Sequence, residues 1–150
     1  MAIVRLNQKW NNNQTKEAEE SFEKALKLRR ELVAAQPDSI EAQNRLAVLL
    51  LDYGAIPAFN FQAQKALVLF NEALEIIERL LKQNPENVDL KKSLARGLRI
   101  LSKAKGAIGD YHGALHGLNY AVEVSKELAT KFPNDFRLQR SVWLTNTISR

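Results

Sequence analysis

Four cations stand in one short stretch of this chain at spacings that place them on a single helical face. Lys92, Arg96, Arg99 and Lys103 follow one another at intervals of four, three and four residues. Side chains so spaced line up along one side of an α-helix. Such a stripe can make charge-assisted hydrogen bonds to carboxylates or phosphates. No acid interrupts it between Lys91 and Lys105. The plain alternative is a solvated helix face kept soluble by lysine and arginine.

Other chemistry-bearing groups are sparser. His112 and His116 are four residues apart with Asp110 just before them, a spacing that can hold a metal ion. Two imidazoles and one flanking carboxylate make a thin ligand set, and the expected reading is surface or turn residues without metal. Glu19 with Glu20, and Glu75 with Glu78, lie in amphipathic stretches and read as solvated carboxylates. There is no GxxxxGK[ST] loop, GxGxxG, GxSxG or HExxH sequence, and there is no cysteine. Nothing pairs a nucleophile with a base, so no enzyme and no cofactor is expected.

The element that positions the stripe belongs to a repeat. Pro37, Pro85 and Pro133 recur every 48 residues. Folded at that interval, Ala18 aligns with Ala66 and Ala114, Ala25 with Ala73 and Ala121, Leu26 with Leu74 and Val122. Leu32, Leu80 and Leu128 form another column, and Leu46, Leu94 and Val142 another. The columns are apolar or small while charges drift, as expected of one supersecondary unit packed against copies of itself. Ala66 to Lys82 carries apolar residues at steps of three and four, which predicts a helix. The same holds for Ala18 to Leu32 and Ala114 to Leu128. Second helices are expected over roughly 39–54, 87–105 and 135–149. Asp38 with Glu41 has capping-box spacing for the first of them. Breaks are expected at Asn11–Asn13, at Gly54–Pro57 and at Lys105–Asp110, where Asn13 and Gly109 tolerate a left-handed backbone. Residues 1–10 would form a short helical remnant, with Ile3, Val4 and Leu6 over the first hairpin. No strand is expected.

The phrase Leu101-Ser102-x6-Gly109-Asp110-Tyr111-x2-Ala114-x6-Ala121 resembles the tetratricopeptide repeat, and Gly54, Ala66, Ala73 and Pro85 match the same pattern one copy earlier. The usual unit is about 34 residues. The excess of about 14 amounts to nearly four helical turns at about 3.6 residues each, or two more on each helix. The resemblance covers roughly residues 14–150. It departs from the pattern at Tyr53, at Pro57, and at Trp143, which stands in the column of Ala47 and Ala95. It implies an all-α fold: a right-handed superhelical stack of antiparallel helix hairpins, about six main helices in one domain over residues 1–150. The final helix without its partner suggests either a fragment of a longer array or a half-repeat terminus.

The resemblance also places the stripe on the groove-lining helices. The implied groove joins an apolar strip (Asn44, Val48, Leu51, with Ala55) to the cations Lys92, Arg96, Arg99 and Lys103, and then to Arg140, Leu144 and Thr147. A non-catalytic scaffold for a protein or peptide partner, acidic and partly apolar, is the function it implies.

Bulk properties bound the alternatives. A formal charge of +5 and a pI near 9.6 favour acidic partners at encounter. A nucleic-acid binder would use the same stripe, but aromatics are only 7% of the chain, too few to interleave it with stacking rings. Self-assembly through terminal repeats is a further alternative. The longest apolar run, Leu46–Leu51, is too short to span a bilayer, so no membrane partner is expected. The N-terminus lacks a secretory h-region, and the expected location is cytoplasmic.

Overall fold

The computed structural model describes the backbone of residues 2–59 and 63–148, and the side chains of 16–55, 64–140 and 142–143. Among the described residues there are six helices and no strand: α1 (Ala2–Ala35), α2 (Ile40–Phe59), α3 (Ala63–Gln83), α4 (Val88–Ala107), α5 (Tyr111–Lys131) and α6 (Phe136–Ile148). Each packs against the next in the chain, and α2 also packs directly on α4.

The prolines act through one turn built three times. Ser39 N donates to Gln36 O, Asn87 N to Asn84 O and Asp135 N to Phe132 O, each at 3.1 Å. Pro37, Pro85 and Pro133 therefore sit second in a four-residue turn, where their fixed φ is already suitable. The fourth turn residue then caps the next helix. Ser39 Oγ accepts from Ala42 N at 3.1 Å, Asn87 Oδ1 from Leu90 N at 3.0 Å and Asp135 Oδ1 from Leu138 N at 3.3 Å. The expected cap at Asp38 is thus corrected to Ser39. Asp38 is third in the turn, too early to reach the free amides of α2, and Glu41 pairs instead with Arg45.

Two expected breaks are absent. α1 runs through Asn11–Asn13, because three asparagines cost only a few tenths of a kcal/mol each in a helix and no proline or glycine stops it. The side chains of Ile3, Val4 and Leu6 lie outside the described residues. α2 runs through Gly54 and Pro57 to Phe59. Gly54 is there for packing: a Cβ at this position would stand inside van der Waals distance of the Phe70 ring. Pro57 removes one hydrogen bond in the last turn, and the helix stops two residues later. The third break is present. Gly109 has φ 86°, Gly109 N donates to Gly106 O at 3.1 Å, and Asp110 Oδ1 caps α5 by accepting from Gly113 N at 2.8 Å.

The core follows the repeat columns. Ala66, Ala73, Ala121, Leu80 and Leu128 are buried, with Leu50, Phe70 and Ile77 between them. Full burial of each large side chain contributes about 1.5–3 kcal/mol. α1 is tied down by polar contacts as well. Tyr53 Oη on α2 donates to Glu23 Oε1 at 2.9 Å, and its ring stacks on Phe22 with centroids 5.6 Å apart.

Candidate functional site

α4 presents two faces of opposite character. Leu90, Leu94 and Leu98 are buried on one side. Lys92, Arg96, Arg99 and Lys103 occupy the other, as their spacing predicts. Gly97 makes room for Leu74 of α3, whose Cδ2 would stand 2.8 Å from a Cβ there, and it faces Leu51 of α2, whose two Cδ atoms would lie at a contact distance of 3.4 Å.

The contact of Leu51 with α4 overturns part of the expected groove. Leu51 is 0% exposed and lies in the core, pointing from α2 at α4. It offers nothing to a partner. Asn44 and Val48 are half-buried and line a cleft with Arg29 of α1 and with Arg45, Leu49 and Asp52. The Oδ1 of Asn44 is shut off from solvent and accepts no hydrogen bond. The apolar strip thus shrinks to Val48 and the half-buried Ala55. Arg140 is exposed on α6. Leu144 and Thr147 lie on the α6 backbone, but their side chains lie outside the described residues.

The cations themselves divide into two kinds. Lys92 Nζ lies 3.7 Å from Asp135 Oδ2 at the head of α6. Arg96 donates to Asp52 Oδ1 on α2. Arg99 and Lys103 have no acidic partner among the described residues. Lys103 is exposed and Arg99 is half-buried. The Nε–H of Arg99 is shut off from solvent and donates to nothing. Burial, and then the charge of neighbouring Arg96, lower the pKa of Arg99 below the ordinary arginine value. A guanidinium stays protonated regardless. The arrangement therefore holds a fixed positive charge, partly stripped of water, with hydrogen-bonding capacity unused.

Asp52 and Arg29 are the residues that the sequence reading missed. Both carry a signal in the 48-residue columns. Asp52 shares its column with Ile100 and Ile148, and Arg29 shares its column with Ile77 and Ser125, both buried. A charge in an otherwise apolar or buried column marks a place where the local environment differs from the repeat.

His112 and His116 are both exposed, and Asp110 is engaged as the cap of α5. Among the described residues no three His, Cys, Asp or Glu side chains converge to hold a metal ion. No helix among them is long and apolar enough to cross a membrane. Compared with known proteins, the chain matches no family model, no curated protein and no solved structure.

Proposed function

We propose that this chain is a non-catalytic helical-repeat module of the tetratricopeptide type that binds an acidic segment of a partner protein across α4. The observation that carries this reading is Arg99. Its buried Nε–H has no acceptor, and leaving a polar group unpaired out of water costs about 1–3 kcal/mol. Arg99 as a whole is only half-buried, so a carboxylate lying along α4 would meet its charge at the surface and offset the cost of that burial. Lys103, four residues on, supplies a second charge to the same ligand. Arg140 on α6 extends the positive field, and Val48 and Ala55 offer a small apolar margin beside Arg96.

A nucleic acid is supported less well. Asp135 and Asp52 face Lys92 and Arg96, so half of the stripe is already neutralised. Backbone phosphates recruit affinity by the number of free cations they meet.

The test is fluorescence anisotropy with three labelled peptides of equal length and apolar content, acidic, neutral and basic, alongside a single-stranded oligonucleotide. The acidic peptide should bind, and Arg99→Glu with Lys103→Glu should weaken it by about tenfold or more, equal to about 1.4 kcal/mol. Circular dichroism melts check that the double variant stays folded. Equal binding of the neutral peptide, or unchanged affinity in the folded variant, overturns the assignment. Binding of the oligonucleotide alone, with steep salt dependence, replaces it.

A further inference from the structure

We infer that the cleft between α3 and α5 takes an arginine side chain from a basic, partly apolar segment of a partner protein. Its walls come from helices in the middle of the chain. It shares no residue with the cation stripe of α4, so the inference does not depend on how that stripe is read.

The cleft encloses about 320 Å³. Its floor is apolar: Leu94 of α4 and Val124 of α5 are buried, and Leu81 of α3 is half-buried beside them. The ring of Tyr120, 42% exposed, forms one wall. Lys91 lies at the rim, but Glu127 and Glu86 hold its ammonium at 2.6 and 3.7 Å. Glu123, also at the rim, is exposed and forms no ion pair among the described residues. Small-molecule sites run from about 300 to 1,000 Å³, so a cleft of this size has room for one long side chain and none for a helix.

The internal period says which side chain. Positions 48 residues apart occupy equivalent places. Arg79 on α3 donates to Gln43 on α2 at 2.7 Å, and their counterparts meet again where Lys91 on α4 donates to Glu127 on α5 at 2.6 Å. Between α1 and α3, Arg30 Nη2 donates to Glu72 Oε1 at 2.8 Å. The counterparts of that pair are Glu78 on α3 and Tyr120 on α5. A glutamate replaces the arginine and a phenol ring replaces its acceptor, so the later seam lacks the cation that bridges the earlier one. Glu78 is exposed and forms no ion pair among the described residues. It stands one turn from Leu81, on the cleft side of α3. An arginine entering from outside would therefore meet the carboxylates of Glu78 and Glu123 and the face of Tyr120. A planar guanidinium can stack on the ring while bonding to carboxylates, which an ammonium does less well. Apolar neighbours of that arginine would lie on Leu81 and the exposed Pro85. The chain as a whole carries a formal charge of +5 and repels a basic segment elsewhere, so attraction is local to these acids.

Fluorescence anisotropy of the 150-residue protein tests this, using a labelled peptide of arginine, leucine and serine and a twin with citrulline in place of each arginine. The arginine peptide should bind at least about tenfold more tightly than its twin, and Glu78→Gln with Glu123→Gln should weaken it by about tenfold. Tyr120→Leu, which keeps an apolar wall, should weaken it by about threefold. Lys82→Glu, at an exposed position four residues after Glu78, should tighten it. Glu78→Arg with Tyr120→Glu rebuilds the Arg30–Glu72 pair in this seam and should abolish binding with the fold intact by circular dichroism. Arg99→Glu with Lys103→Glu should not weaken this peptide, which separates the cleft from the α4 surface. Equal binding of the citrulline twin, unchanged affinity in the folded glutamine variant, or continued binding to the rebuilt pair overturns the proposal. So does a dimer mass in sedimentation that the rebuilt pair abolishes, since a second copy would then be the occupant.

Discussion

Asp52 on α2 and Arg96 on α4 are 44 positions apart in the chain and hydrogen-bonded in the fold. Their contact joins two helices that pack on one another without being consecutive in the chain. It also removes one cation from the stripe that the sequence presents as continuous.

Asp52→Asn should therefore free Arg96 for a ligand. The acidic peptide should bind about two- to fivefold more tightly, a gain of about 0.5–1 kcal/mol. Both side chains are roughly 40% exposed, so the lost pair should cost about 1 kcal/mol or less of stability. Anisotropy and a urea melt read the two effects, and unchanged peptide affinity would show that Arg96 takes no part in binding.

Two glycines in helices should respond in opposite directions. Gly54→Ala drives a methyl group into the Phe70 ring and should destabilise by about 1–3 kcal/mol, more than the helix propensity it gains. Gly106→Ala meets nothing closer than Ala114 Cβ at 4.0 Å and should stabilise by up to about 1 kcal/mol. Chemical denaturation of both variants measures the difference, and the same sign in both would refute the packing role of Gly54.

Ala73 and Leu80 test the seam from both sides. Ala73 is fully buried where α3 meets its neighbours, so Ala73→Leu should cost about 1–3 kcal/mol by overpacking. Leu80→Ala should cost about 2–5 kcal/mol by leaving a cavity. A neutral Ala73→Leu in a denaturant melt would mean that the helices are not spaced by that methyl group.

Tyr53 links stability to alkaline pH. Burial, and then its hydrogen bond to Glu23 and the charges of Glu23 and Glu19, push its pKa from 10.0 up to about 12. The folded state thus holds the phenol proton more tightly than the unfolded state does. The stability this contributes is complete below pH 10 and is lost as pH rises from 10 towards 12. In thermal melts across that interval, Tyr53→Phe should lose less stability than the parent protein. Parallel losses in the two proteins would contradict the shift.

Much of this architecture was legible in one dimension. The period set by Pro37, Pro85 and Pro133 located three turns, because a proline before a capping residue is a local instruction that needs no distant partner. The apolar columns named Ala73, Ala121, Leu80 and Leu128 as core, because a repeated unit gives equivalent positions equivalent surroundings. Spacing alone put the four cations of α4 on one side. Helix type and hairpin order are decided by neighbours within a few turns, and the sequence carries those neighbours in order.

Tertiary structure decided what those local rules cannot reach. Whether Gly54 breaks a helix or receives a ring depends on where Phe70 lies. Whether Leu51 faces solvent or α4 depends on α2 packing across Gly97 of α4. Whether Lys92 and Arg96 are free depends on Asp135 and Asp52, each more than 40 positions away. A period states which residues share an environment. The distance between packed helices decides whether that environment is water, a methyl group or a carboxylate.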